Sequence, residues 1–421
     1  MLTKKINKKF TLYLLIIFSI ATILSLSSSS ENIFNNDLLK NDLDKNILFF
    51  KSTLPIIIFI TLILVAFLEF NKSILIKNNF IFILFSFLIL LQIIGTLSNS
   101  QNYIKNLYYI IPEINIMFIC LIFLKLYDKK FLKIFFYSNL IIFFLIFLYF
   151  FLFYVKSYLL FDGNFYDLWG SIKNYEFVPR PTGMARLSMI FSSYFFCIYF
   201  LTKKKFLFLM FFNYLIFAFQ SRVVMLSLLF ITLIFILIKE KFSIKKTFKY
   251  LILILIIPFI INLFVDFSKK KILFYDSFVA TNKFINSRLL DYEINTNNFT
   301  SDRYRDWKNI LKNFDKQKVF GYGIHGDRIL INQTASNGFL YSLVSGGYLA
   351  TIIYCIICIY SFFLVKLALL RIKFDKYSWF ASYMIIFFLI RSLVENSFTI
   401  VSFDFIIFFF STFYLEKIIY N

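Results

Sequence analysis

The sequence predicts an all-α polytopic membrane protein of about twelve transmembrane helices, with a long, partly helical outer loop between spans nine and ten. Three observations predict it. The 421 residues are 60% hydrophobic with a mean hydropathy of +0.77, more apolar surface than a soluble core can hide. The apolar runs are continuous rather than alternating, which excludes a β-barrel. Lysines gather in the short connections between those runs, where the positive-inside rule places them.

The runs can be justified in order. Lys4, Lys5, Lys8 and Lys9 precede an apolar run from Phe10 to about Leu26, which reads as an uncleaved first span. Further spans are expected at about Leu48 to Phe70, Phe80 to Leu97, Leu107 to Leu126 and Ile134 to Val155. An outer loop, 156–185, ends in VPRPTGMAR. Spans six to nine fall at about Leu187 to Leu201, Phe206 to Phe219, Val223 to Ile238 and Tyr250 to Phe267. The longest loop, 268–336, follows, and then come runs at about Gly347 to Leu370, Trp379 to Val394 and Thr399 to Tyr414. Lysine clusters occur before the first span and after the even-numbered ones, so both termini are expected in the cytoplasm. Lys269, Lys270 and Lys271 break the rule locally, but long loops translocate regardless of charge.

The formal charge of +22 is accounted for by these loop lysines, and without a basic soluble domain a nucleic-acid partner is excluded. Cys120, Cys197, Cys355 and Cys358 all fall within expected spans and read as small hydrophobes. Neither a metal site nor a cofactor motif is visible, and there is one histidine, His325.

Charges within expected spans are costly and are functional or paired by default. Glu69, Lys125 and Lys366 lie at inner ends beside lysine loops and fit snorkelling. Lys51, Glu113, Arg222, Asp266, Arg391, Glu395 and Asp404 lie toward outer ends, which suggests a polar cavity opening outward. Arg391 and Glu395, four apart, face the same side of a helix and can pair.

The stretch from Thr300 to Gly347 is the one long segment where charge, rings, glycine turns and a following apolar helix occur together. Ser301 can cap a helix carrying Arg303, Trp307 and Ile310–Leu311 on one stripe. Gly321-Tyr322-Gly323 then makes a turn that brings backbone close to whatever it faces. Asn337 stands before GFLYSLVSGGYLA, whose Gly346-Gly347 allows a kink.

These pieces together resemble the bacterial O-antigen polymerase and O-antigen ligase superfamily of membrane glycosyltransferases. The resemblance rests on Arg180-Pro-Thr-Gly183, Gln220-Ser221-Arg222, Arg303-x-x-x-Trp307, Phe320-Gly-x-Gly323 and Asn337-x-x-Leu340 followed by Gly347. It implies transfer of a glycan from an undecaprenyl-diphosphate carrier to a hydroxyl acceptor at the outer face of the cytoplasmic membrane. Donor and acceptor glycans and the bilayer are then the partners, and a chain-length regulator protein is admitted as a further one. Ligases of the superfamily typically carry a histidine directly before the asparagine. Here that position is Ser336, and His325 lies upstream. Polymerisation of repeat units is therefore the leading expectation, ligation to a lipid or protein the second, and a glycolipid flippase the third.

The chemistry needs a group that holds a diphosphate and balances its charge as the sugar–oxygen bond breaks. Arginine binds phosphate bidentately and stays charged. Arg222 and Arg303 are the expected catalytic pair. Arg180, Arg186, Trp307, Tyr322, Asn337 and Arg391 are the expected substrate-binding residues, with the rings of Trp307 and Tyr322 placed to stack on sugars. Asp302, Asp327, Glu113 and Asp404 are the available carboxylates for a general base.

Overall fold

A computed structural model describes residues 79–98, 110–115, 181–219, 221–239, 243–260, 303–315, 319–331, 334–371, 375–399 and 403–420, with scattered positions elsewhere. The described residues are helices and turns, with no strand among them. We number the helices α1 (Phe80–Ser98), α2 (Pro181–Thr202), α3 (Phe206–Ala218), α4 (Arg222–Lys239) and α5 (Ile244–Leu251). The others are α6 (Arg303–Asn313), α7 (Gly326–Ile331), α8 (Gly338–Arg371), α9 (Lys376–Ser392) and α10 (Phe403–Tyr420).

Four of these are long and apolar enough to cross a bilayer: Phe80–Ser98, Thr182–Thr202, Arg222–Lys239 and Gly338–Leu370. The chain is an integral membrane protein whose described regular structure is helical. The expected spans over 10–26, 48–70, 107–126 and 134–155 lie wholly or largely outside the described residues. Two boundaries differ from expectation. Helix α2 begins at Pro181, so Thr182–Ala185 form its first turns rather than the end of a loop. Proline is at home there because its missing N–H is one the first turn leaves unused. Helix α8 begins nine residues before Gly347 and runs through a break at that glycine.

The chain divides into two compact units, one of 1–148, 175–178 and 305–421, the other of 149–174 and 179–304. In the first, α1 packs on α8 and α10, and α8, α9 and α10 pack on one another. The contact is mainly aromatic. Phe398 stacks on Phe408 at 3.9 Å between ring centres, and Phe85 meets Phe405, Phe408 and Phe409 edge-on. The buried carboxylate of Glu416 on α10 accepts the Phe80 and Ile81 N–H groups at 3.0 and 3.3 Å and the Tyr360 hydroxyl at 2.9 Å, all on Oε1. A helix start leaves such N–H groups unpaired, and a carboxylate there also meets the positive end of the helix dipole.

In the second unit α2 packs on α3 and α4. Ser188 and Ser193 donate to the carbonyls of Met184 and Ile190 in their own helix, at 2.9 and 2.7 Å, so buried hydroxyls cost little. Helix α5 continues into a π-turn, Ile252–Ile256, which frees a carbonyl. Buried Asn213 donates to the Ile254 carbonyl at 2.8 Å and accepts the Ser192 hydroxyl.

Candidate functional site

The first unit holds the segment after Arg303 in place on α8. Helix α6 buries Asp306 and Ile310 and half-buries Trp307, while Leu311 is 59% exposed. The buried face therefore runs through 303, 306, 307 and 310, and Leu311, one residue past the stripe, points away. Ile310 and Phe314 join Ala335, Leu340, Tyr341, Leu343 and Val344 in one apolar cluster, with Trp307 and Tyr322 packed against it. Burying each such large side chain stabilises the segment by about 1.5–3 kcal/mol. The indole N–H of Trp307 donates to the Ala335 carbonyl at 3.0 Å.

Glycine sets the next contact. Gly347 has φ 72° and ψ −165°, so the α8 ladder is interrupted there. The carbonyls of Val344 and Ser345, released from the helix, accept instead from the backbone N–H of Tyr322 at 2.6 Å and of Gly323 at 3.0 Å. A Cβ on Gly347 would sit 1.8 Å from the Val319 carbonyl oxygen, and one on Gly323 within 2.6 Å of the Thr96 backbone and hydroxyl. Thr96, near the end of α1, accepts the Ile324 N–H at 2.8 Å while donating to the Gln92 carbonyl. Gln92 in turn donates to the Ser345 hydroxyl at 3.1 Å and the Thr399 carbonyl at 3.0 Å. The Gly-Tyr-Gly turn is thus clamped between α1 and the broken turn of α8.

Beyond the turn, Asp327 is buried and accepts the Arg328 N–H at 3.0 Å and the Ala335 N–H at 2.7 Å. Burial pushes its carboxyl above the usual carboxylate range, against the pull of the Ala335 N–H and the Arg328 charge. His325 and Ser336 both have left-handed backbones, φ 59° and 47°. The His325 N–H lies 3.3 Å from the Tyr341 hydroxyl, so its backbone is tied to the tip of a side chain from α8.

Asn337 caps α8, its side-chain oxygen accepting the Leu340 N–H at 3.0 Å, and its amide donates to the Leu393 carbonyl at 2.7 Å. The Tyr322 hydroxyl accepts the Asp315 N–H at 3.2 Å and its ring meets Phe314 edge-on. Arg391 is buried. It donates to Glu395, to Asp404 and, at 3.1 Å, to the Ser397 hydroxyl. The Glu395 pairing is the one its spacing suggested; Asp404 is a second partner from α10. Trp307, Tyr322, Asn337 and Arg391 belong to this unit.

Arg186, Arg222 and Arg303 belong to the other unit. Arg222 is exposed and is the first residue of α4; Arg303 is half-buried and is the first residue of α6; Arg186 lies half-buried within the second turn of α2. Helix N-termini favour anions, through free N–H groups and the macrodipole, so Arg222, preceded by non-helical Ser221, adds a guanidinium to an already electropositive end. Arg180, Asp302 and the Ser301 cap lie outside the described residues. The residues that sequence reasoning missed are Gln92, Thr96 and Gly95, where a Cβ would sit 2.3 Å from the Phe320 carbonyl oxygen. They sit in an ordinary apolar helix, and their only signal was two polar side chains and a glycine near its end.

Among the described residues no cluster of His, Cys, Asp and Glu could hold a metal. Cys197, Cys355 and Cys358 are free thiols.

An all-helical membrane protein with a charged loop clamped to a broken span defines the class. Residues 206–355 match the family model described as O-antigen ligase, so this part of the chain is similar to that family. The matched segment runs from α3 to the middle of α8 and contains Arg222, Arg303 and the Gly-Tyr-Gly turn. No curated protein and no solved structure matches the chain.

Proposed function

We propose that this protein polymerises undecaprenyl-diphosphate-linked oligosaccharide repeat units into a surface polysaccharide at the outer face of the cytoplasmic membrane. The observation that carries the reading is the family match over 206–355, combined with Ser336 where the superfamily's ligases hold a histidine. In the reaction an acceptor hydroxyl oxygen bonds to the anomeric carbon of the donor sugar. The bond from that carbon to the diphosphate breaks, and the diphosphate leaves with the electron pair. The hydroxyl proton passes to solvent or to a nearby carboxylate.

Arg222 and Arg303 hold the departing diphosphate, each charge-assisted bond contributing about 1.5–3 kcal/mol. Arg180 and Arg186 serve the approach of the substrate. Trp307 and Tyr322 offer a sugar only the faces that the loop core leaves half-exposed. Asn337 and Arg391 serve as supports within their own unit, because their polar groups are engaged with Leu393, Glu395 and Asp404. This chemistry requires no cofactor or metal.

Ligation is the second reading, and His325, the one histidine of the sequence, favours it, with its backbone tied to α8 through the Tyr341 hydroxyl. Deletion of the gene, with surface polysaccharide separated on gels, distinguishes the two. Single-repeat glycolipid is the expected result; full-length polymer stranded on its carrier marks a ligase. Arg222→Ala and Arg303→Ala, at normal membrane levels, are each expected to abolish chain elongation. Wild-type chain lengths in both would refute the arginine roles.

A further inference from the structure

Among its described residues the second unit gathers its lysines where α2 and α4 end. From Pro181 to Ile260 the sequence holds ten lysines and arginines and one acidic residue, Glu240. Glu240 lies outside the described residues, and the described residues of this unit contain no carboxylate. Eight of the ten basic residues are lysines between 203 and 249. Helix α2 turns into α3 through Lys203, Lys204 and Lys205, all exposed, with Lys203 and Lys205 in left-handed backbone at φ 56° and 65°.

The position of this turn is fixed by rings. The Lys203 ammonium donates to the Tyr250 hydroxyl at 2.8 Å and lies 4.6 Å from the centre of its ring and 5.4 Å from that of Phe200. Lys239, at the end of α4, donates to the Phe200 carbonyl and lies 5.1 Å from the same Phe200 ring. Aromatic faces attract cations without neutralising them. Lys249, next to Tyr250 in the chain, is exposed.

A continuous apolar stripe leads away from these lysines. Ile244, Phe248, Ile252, Ile256 and Ile260 recur every fourth residue, and each is exposed, from 81% at Ile244 to 36% at Ile252. In an α-helix such a series drifts by about 40° per step, and the wider π-turn at Ile252–Ile256 slows that drift, keeping the stripe on one side.

We propose that this end of the unit binds an anionic phospholipid. The phosphate sits among Lys203, Lys204, Lys205 and Lys249, and the acyl chains lie along Ile252, Ile256 and Ile260. Charge complementarity selects the headgroup, and the stripe selects a lipid over a free anion.

The test uses the purified full chain in non-ionic detergent and native mass spectrometry with phosphatidylglycerol and phosphatidylcholine of matched acyl chains. Wild type is expected to retain phosphatidylglycerol at least tenfold more strongly. Replacing Lys203, Lys204, Lys205 and Lys249 together by Gln should weaken that retention, by about fivefold per lysine. Lys366→Gln with Lys376→Gln, in the other unit, should leave it unchanged. Equal retention of the two lipids by wild type would overturn the proposal without recourse to any variant. So would undiminished phosphatidylglycerol binding in the fourfold variant, or displacement of the lipid by an equal concentration of inorganic phosphate.

Discussion

Replacing Glu416 by Ala should destabilise the first unit by about 3–5 kcal/mol, the range for removing one partner of a buried charged contact. The magnitude follows from what the carboxylate holds. Its Oε1 accepts two N–H groups from the first turn of α1 and the Tyr360 hydroxyl, and the residue is 2% exposed. Each donor left without an acceptor in the interior costs about 1–3 kcal/mol. Relief of the buried charge offsets part of the sum. Glu416→Gln keeps an oxygen at the Oε1 position and places its amide where Oε2 has no hydrogen-bond partner. It should cost about 1–2 kcal/mol. The assay is unfolding in mixed micelles titrated with dodecyl sulfate and followed by far-ultraviolet circular dichroism. An alanine variant within about 1 kcal/mol of wild type, or a glutamine variant as damaged as the alanine, would refute the capping argument.

Gly347→Ala should detach the Gly-Tyr-Gly turn from α8, because its Cβ would lie 1.8 Å from the Val319 carbonyl in backbone that side chains rarely adopt. Limited proteolysis between 313 and 337 should then accelerate in the variant relative to wild type. Arg391→Ala should cost about 3–5 kcal/mol by leaving buried Asp404 and part-buried Glu395 without their cation, and adding Asp404→Ala should recover part of it in the same unfolding assay. For Asp327, burial raises the folded pKa, so the folded state favours the protonated form. Its contribution is full below the unfolded value, about 4, and is lost as pH rises through the raised folded value. Wild type should therefore lose stability relative to Asp327→Asn as pH rises from about 4 toward neutrality, and parallel pH profiles would contradict this.

Local pattern made some of this legible. The Arg391–Glu395 pair is an i,i+4 contact on one helix, and the Gly321-Tyr322-Gly323 turn and the kink at Gly347 are glycine signals within one stretch. The apolar run of α1 was bounded to within a residue, because its hydropathy and its helix end together, whereas α2 and α8 start several residues before their apolar runs. What the pattern could not show was contact at long sequence distance. Thr96 and Ile324 are 228 residues apart, and Glu416 and Phe80 are 336 apart. Asp404 as a second partner of Arg391 has no fixed spacing to betray it. Asn337 stood out as a motif residue, but its work as a cap on α8 needed the helix start to be known.

The break at Gly347 turns two carbonyls of a bilayer-embedded helix outward as docking points for the loop. Because Tyr322 and Gly323 take consecutive oxygens, a slip by one residue would disconnect both together, and the glycines on either side leave no room for an intermediate fit. The loop consequently has a single seat, and any motion of the first turns of α8 is carried to it as rigid displacement.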